Sequence, residues 1–189
     1  MWALVENNKV SKVYKNPKAI TIGDVNYPSN IFSSWSSDDL EGIGIYEVVI
    51  DNTNYKNPEY YTNTDQSFAF ANNTVTATYG TATAKSLDDS GSGEDLVRGL
   101  KTLHKETVDG QAYALLQSND WLVIRKEEAG TAIPSDWTTF RTGVRTTANS
   151  MKTKIDAVSD VDALAALYVY NDADPPVRPL GEFPTPPSS

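Results

Sequence analysis

The first 85 residues alternate apolar and polar positions in short segments separated by turn-forming residues. This period of two is typical of half-buried β-strands. Three pairs of segments predict hairpins, which turn at Asn7-Asn8-Lys9, at Gly23-Asp24 and at Asn72-Asn73. Residues 36–41 combine N-cap residues with acids and precede Gly42, which predicts one helical turn, and residues 44–50 predict another strand. The pattern therefore predicts an antiparallel β-rich domain over residues 1–85.

The pattern changes after residues 86–94, whose small, polar and acidic composition predicts a linker. Apolar residues recur at roughly helical spacing over residues 95–116. Pro134 and Ser135 then offer a new helix start, and a capped start at Ser159 and Asp160 predicts a short third helix. Spacing by three or four places the following residues on one face of the middle helix: Trp137, Phe140, Val144, Ala148, Met151, Ile155 and Val158. These features predict a helical domain over residues 95–170.

Residues 171–189 contain six of the ten prolines of the chain. Such a composition predicts an extended or disordered tail, because proline has no backbone N–H to donate. The predicted fold class is α+β: an N-terminal antiparallel β-rich domain, then a small C-terminal helical unit and a proline-rich tail.

Charge and composition restrict the function. The 189 residues include 16 Lys and Arg against 25 Asp and Glu, a formal net charge of -9, which disfavours non-specific binding to nucleic acid or to an anionic membrane. The N-terminus reaches Glu6 after a few apolar residues, and no later run approaches the ~20 apolar residues of a membrane helix. We therefore expect a soluble protein that is synthesised in a cytoplasm.

Two compositional features argue against catalysis. The chain has no cysteine and one histidine, His104, which nearly excludes thiolate nucleophiles, Ser-His-Asp triads and multi-histidine metal sites. The sequence also nominates neither an orienting carboxylate nor a nucleophile for His104, so we interpret it as a surface or half-buried residue of the first long helix. We expect no catalytic residue, no cofactor and no metal.

The charged clusters have plain interpretations. The acids at 88–95 lack the alternating order that wraps Ca²⁺, which indicates a solvated linker. Glu127 and Glu128 indicate a charged turn rather than the acid pair of a glycoside hydrolase. Binding of single-stranded nucleic acid is suggested by four bases near Trp137 and Phe140, namely Arg141, Arg145, Lys152 and Lys154. Nearby acids and the overall negative charge instead favour a solvent-facing stripe of bases opposite the apolar stripe.

One long segment resembles a known family. Residues 115–134 read LLQSNDWLVIRKEEAGTAIP and continue through Trp137, Arg141 and Arg145. This pattern resembles a segment of tail-fibre assembly proteins and related tail-associated proteins of tailed bacteriophages. Residues 1–10 (MWALVENNKV) and 44–48 (GIYEV) resemble the N-terminal part of such proteins. The resemblance implies a non-enzymatic structural component of a phage tail, a fibre- or baseplate-associated subunit located in the virion and synthesised in the host cytoplasm.

The resemblance and the residue types nominate a partner-binding set. Its members are large anchors and arginines that could pair with carboxylates of a neighbour or with the acids at 127–128. They are Trp121, Trp137, Phe140, Arg141 and Arg145. The expected partners are other tail proteins, fibre or baseplate subunits, or a second copy of the chain.

The sequence leaves three alternatives open. One is a cytoplasmic tail-fibre assembly chaperone that is absent from the mature virion. Another is a glycan-degrading tail protein, which would need two facing acids, although no spacing selects such a pair. A third is a glycan-binding tail protein that stacks host sugars on exposed tyrosines, for which the candidates are Tyr46, Tyr55, Tyr60 and Tyr61.

Overall fold

The computed structural model describes residues 1–187 and divides into two compact units, Met1–Thr83 and Ala84–Ser189. Strands and helices both occur, which confirms the predicted α+β class. The first unit contains two short helices, α1 (Ile31–Ser34) and α2 (Ser37–Gly42). Its strands are β1 (Trp2–Glu6), β2 (Lys9–Tyr14), β3 (Ile20–Ile22), β4 (Val25–Tyr27), β5 (Ile45–Asp51), β6 (Tyr61–Thr62), β7 (Gln66–Ala71) and β8 (Thr74–Tyr79), followed at the junction by β9 (Thr83–Ala84).

The three predicted hairpins are confirmed as β1–β2, β3–β4 and β7–β8. Asn7 and Asn8 have φ of 52° and 58°, and Asn72 and Asn73 have φ of 50° and 58°. Two consecutive left-handed residues are what a two-residue hairpin turn requires, and asparagine tolerates them. The asparagine pairs therefore set the register of both long hairpins.

The helical turn predicted at 36–41 is confirmed as α2. Ser36 accepts a hydrogen bond from the Asp39 N–H, and the Asp39 carboxylate accepts from the Ser36 N–H and hydroxyl. These hydrogen bonds, first from the hydroxyl and then from the backbone, lower the pKa of Asp39. This reciprocal capping closes the N-terminus of the helix.

The main sheet has the strand order β2-β1-β5-β8-β7. Its central pair, β5 and β8, is parallel, so the prediction of an antiparallel domain is wrong at this point and the sheet is mixed. Parallel neighbours need a long connection, which the β6–β7 region supplies here. Local turn signals identify hairpins, but they carry no information about which distant strands become neighbours.

Both faces of β1 are buried in the first unit. Leu4 belongs to a core with Phe32 of α1 and Ile45, whereas the adjacent Ala3 belongs to a core with Val75 and Ala77 of β8. Successive strand residues point to opposite faces, so the curled sheet separates two small hydrophobic cores.

The second unit contains a 3-10 turn (Gly93–Asp95) and four helices, α3 (Leu100–Gln117), α4 (Trp121–Ala129), α5 (Ser135–Asp156) and α6 (Val161–Ala166). The predicted apolar face of α5 is largely confirmed, because five of its seven residues are buried: Phe140, Val144, Ala148, Met151 and Ile155. The capped start predicted at Ser159 and Asp160 is confirmed as the start of α6, since the Asp160 carboxylate accepts from the Ala163 N–H at 2.8 Å.

The start of α3 differs from the prediction. The helix begins at Leu100 rather than near residue 95, because a two-residue bridge joins Ser90 to Val97. Gly99 packs so closely on the preceding segment that an added Cβ would lie 2.4 Å from the Leu87 carbonyl oxygen. The segment 86–94, predicted as a linker, is thus hydrogen-bonded to the beginning of the first long helix.

The charged turn predicted at Glu127 and Glu128 is wrong, because both residues lie within α4. The apolar run Trp121–Ile124 is too short for its period to distinguish strand from helix. The residues after it are good helix formers, and Gly130 ends the helix at φ 68°.

Residues 167–187, which include the described part of the proline-rich segment, contain no helix or strand. Leu180 is nevertheless buried, and its N–H donates to the Leu167 carbonyl at 2.9 Å. The Lys154 ammonium donates to the carbonyls of Pro179 and Leu180 at 2.7 and 3.1 Å. The segment therefore packs along the helical unit as far as it is described, and Ser188 and Ser189 lie outside the described residues.

Candidate functional site

Ion pairs fix the antiparallel register of α3 and α5. The Lys105 ammonium lies 2.7 Å from the Asp156 carboxylate, and the Lys152 ammonium lies 2.7 Å from Asp109. Advancing one turn along α3 therefore moves one turn back along α5. The same progression brings Arg141 to the far end of α3, where the chain turns into α4.

A buried arginine closes this end of the helical unit. The Arg141 side chain is only 7% exposed, and its guanidinium donates to the Leu116 carbonyl at 3.2 Å and to the Asp120 carboxylate at 2.8 Å. It also donates to the side-chain oxygen of Asn119. The fully buried Asn119 in turn donates to the Leu115 carbonyl at 2.8 Å. The guanidinium thus joins three acceptors where α3 ends, and the Leu116 carbonyl among them also accepts from the Asn119 N–H at 3.1 Å.

The first residue after this network is Trp121, which begins α4 and is 54% exposed. The Arg125 guanidinium carbon lies 4.8 Å from the centre of its ring, within cation–π range. Ile124 is exposed beside them, whereas Leu122 is buried and holds α4 against the unit. We call Trp121, Ile124 and Arg125 the α4 face.

Arg125 retains an unused donor. Its Nε is buried and has no hydrogen-bond partner within residues 1–187. A buried polar atom without a partner is uncommon in proteins and carries a cost in free energy. The α4 face therefore presents the exposed apolar side chains of Trp121 and Ile124 beside a guanidinium whose Nε is buried.

The five residues of the predicted partner-binding set fall into two groups. Trp121 and Arg145 are exposed, and Trp137 is half-buried with its ring 5.7 Å from Phe140 in an edge-on arrangement. Phe140 and Arg141 are buried, so these two build the interior of the helical unit. The prediction that Arg141 lies off the apolar stripe therefore misses its burial.

The sequence pattern does not mark Asn119 as a site residue, although Asn119 completes the arginine network. An asparagine immediately before the acid at a helix junction was the available signal, because its amide can both cap a carbonyl and accept from a cation. Ile124 and Arg125 were part of the quoted motif, but only the helical period of α4 shows that they share a face with Trp121.

The tyrosines proposed for sugar stacking occupy different environments. Tyr60 is buried, and Tyr46 packs on Phe70 with ring centres 4.7 Å apart. Tyr55 is exposed and packs on Tyr79 at 5.0 Å. Stacking on a sugar needs an accessible ring. Tyr55 is the one exposed member of the set, and the half-buried Tyr61 has the Lys56 ammonium over its ring at 5.7 Å.

His104 is buried on α3 rather than at the surface, and its Nδ1 lies 2.7 Å from the Tyr168 hydroxyl. Its ring thus helps to hold the residues after α6 on α3. Among the acids at 88–95, Asp89 accepts from the Gly99 N–H at 2.7 Å, and this hydrogen bond is the main cause of its lowered pKa. It therefore supports the start of α3.

Neither a metal-ligating cluster nor a membrane-spanning helix occurs among residues 1–187. No cluster of three or more His, Cys, Asp or Glu side chains in this part of the chain could hold a metal ion. No helix among these residues is both long enough and apolar enough to cross a membrane.

Comparisons with known protein families, with curated proteins and with solved structures found no match to this chain.

Proposed function

We propose that this chain is a non-enzymatic component of a bacteriophage tail, a fibre- or baseplate-associated subunit that acts through protein–protein contacts. The observation that carries the proposal is the exposed Trp121 on a helix fixed by the buried Arg141 network. Both residues belong to the segment that resembles phage tail-associated proteins. The motif thus combines an interior part that sets the geometry with a surface part that is open to a partner.

The α4 face has the composition of an interface hot spot. Tryptophan and arginine are enriched among the residues that dominate binding energy, and they act best when a partner excludes water from them. Here Arg125 packs on the Trp121 ring, so the two side chains are already ordered before binding. Such preorganisation lowers the entropy cost of association. A partner with apolar side chains that cover Trp121 and Ile124 would complete the face.

A non-catalytic role is consistent with the residue chemistry. The single histidine contacts Tyr168 within the helical unit, and the chain has no cysteine. The acids with lowered pKa values, such as Asp89 and Asp160, accept hydrogen bonds from nearby backbone N–H groups, which is a structural task.

Mass spectrometry of purified virions tests the proposal. A phage whose copy of the gene is deleted is supplied with the wild-type chain, with Trp121→Ala or with Trp35→Ala as a matched control. Trp35 is also exposed, but it lies in the first unit and contacts Tyr27. We expect stoichiometric incorporation of the wild-type and Trp35→Ala chains, and reduced incorporation of Trp121→Ala. Equal incorporation of all three would remove the α4 face from the proposal.

The alternative is a cytoplasmic tail-fibre assembly chaperone. It is favoured by the small size of the α4 face, since transient interfaces bury less surface than permanent ones. The chaperone would co-purify with a fibre protein from infected cells and be absent from finished particles. Absence from both preparations would refute both roles.

A further inference from the structure

A second apolar surface lies at the opposite end of the helical unit from the α4 face, where the chain leaves α6. A hollow of 440 Å³ opens there between the end of the helix and the proline-rich segment. Its apolar lining comes mainly from Val169, Tyr170, Val177 and Pro179. The first three expose about half of their surface or more. Peptide and small-ligand sites begin at roughly 300 Å³, so the hollow has room for large side chains.

The walls of the hollow are held in place by hydrogen bonds. The Asn171 N–H donates to the Val177 carbonyl at 2.9 Å, and the Asn171 side-chain oxygen accepts from the Val177 N–H at 2.9 Å. These bonds close the loop 171–177. On the other side, the Tyr170 hydroxyl donates to Glu182 at 2.7 Å. The hollow is therefore formed in the free chain, and a ligand would not have to order it.

Charge specifies what the hollow accepts. Asp172 and Asp174 lie in the loop between the lining residues Asn171 and Val177, both are exposed, and neither forms an ion pair within the described part of the chain. The one cation of the lining, Arg178, is paired with Glu182 at 2.7 Å and packs on the Tyr170 ring. An apolar hollow with two unpaired aspartates on the loop that joins its lining residues is complementary to an apolar side chain with a cationic neighbour.

We propose that this hollow docks an extended segment of a partner protein in which apolar side chains are flanked by lysine or arginine. The proposal rests on the proposed function for the class of the partner, a phage tail protein, and adds the chemistry by which that partner is recognised. The apolar side chains would fill the space between Val169, Tyr170 and Val177. The flanking cations would meet Asp172 and Asp174.

The test uses the full ¹⁵N-labelled chain and two capped synthetic peptides that share a central Leu-Leu pair, flanked by lysines in one and by glutamates in the other. We expect the lysine peptide to produce saturable amide shifts over residues 166–179 that weaken as salt is added. The glutamate peptide should bind at least tenfold more weakly. No saturable shift, equal binding of both peptides, or shifts centred on Trp121 and Arg125 would overturn the proposal.

Variants locate the binding. Val177→Glu and, independently, Val169→Glu should each weaken the lysine peptide at least tenfold, while Val97→Glu, an equally exposed valine of the same unit, should not. Asp172→Asn combined with Asp174→Asn should remove most of the salt dependence. Unchanged binding in both valine variants, with native amide spectra, would refute the site. Peptide binding without virion incorporation or fibre co-purification would refute only the tail function. Virion incorporation or fibre co-purification without peptide binding would refute only docking in the hollow.

Discussion

Replacing Arg141 by methionine tests the central structural claim, that a buried guanidinium closes the end of the helical unit. Arg141→Met keeps an unbranched apolar chain and removes every donor. The Asn119 side-chain oxygen, in a residue only 1% exposed, then loses its donor, whereas the Leu116 carbonyl still accepts from the Asn119 N–H at 3.1 Å. The Asp120 side chain is 52% exposed, so its carboxylate regains water instead.

The cost follows from these environments. A buried acceptor left without a donor costs about 1–3 kcal/mol, and the Asn119 side-chain oxygen is the one such acceptor here. Loss of the pair with the half-exposed Asp120 adds about 0–1 kcal/mol, because an exposed carboxylate is well solvated. The methionine no longer buries a charge, which offsets part of the loss. We expect a net loss of about 2 kcal/mol in the free energy of unfolding.

The measurement is urea unfolding of the full chain, followed by the helical circular dichroism signal, which reports mainly on the second unit. Arg145→Met is the matched control, since Arg145 is exposed one turn further along α5 and its replacement should cost less than about 0.5 kcal/mol. The reasoning fails if Arg141→Met unfolds at the wild-type midpoint. It also fails if the control is equally destabilised.

Three further outcomes are expected. Ile155→Ala, at a fully buried position of α5, should lower the unfolding free energy by about 2–5 kcal/mol in the same assay. Asn73→Val should destabilise the β7–β8 hairpin by about 1–2 kcal/mol, measured by hydrogen exchange of its amides, because a β-branched residue resists φ of 58°. The pKa of Asp160 is lowered, first by the Ala163 N–H and then by the Ser159 hydroxyl, so its stabilising effect is present above the unfolded pKa near 4 and is lost as pH falls through the folded value. Asp160→Asn keeps a good N-cap without titrating, so thermal unfolding from about pH 5 downward should depend less on pH than in the wild type; an unchanged slope would contradict this.

The sequence predicts those parts of the fold that depend on local chemistry. Asn72 and Asn73 identify a turn because few other residues accept left-handed backbone, and the spacing from Phe140 to Ile155 identifies the buried face of α5. The parallel pairing of β5 with β8 is not local, since it depends on packing between strands that are distant along the chain. The sequence does not identify Trp121–Ala129 as a helix, because the apolar run of this segment is shorter than two helical turns.

The candidate site was predictable in its members but not in their roles. Residue type suggested that Trp121 and Arg141 act together as surface anchors. The side chain of Arg141 turns inward instead, because three acceptors converge where α3 ends, and their convergence depends on how α3 and α5 pair. Sequence spacing alone cannot show whether an arginine reaches a partner or the backbone of its own chain.

The Arg141 network also has a consequence for how homologous sequences should vary. Position 119 must supply an acceptor to the guanidinium and a donor to the Leu115 carbonyl, a combination that few side chains other than an amide provide. Substitutions at 119 and 141 should therefore occur together in evolution. Trp121 and Ile124 do not belong to the Arg141 network, so their side chains can change in evolution together with the partner surface. Two homologues that share the first pair and differ in the second should have the same helical unit and different binding specificities.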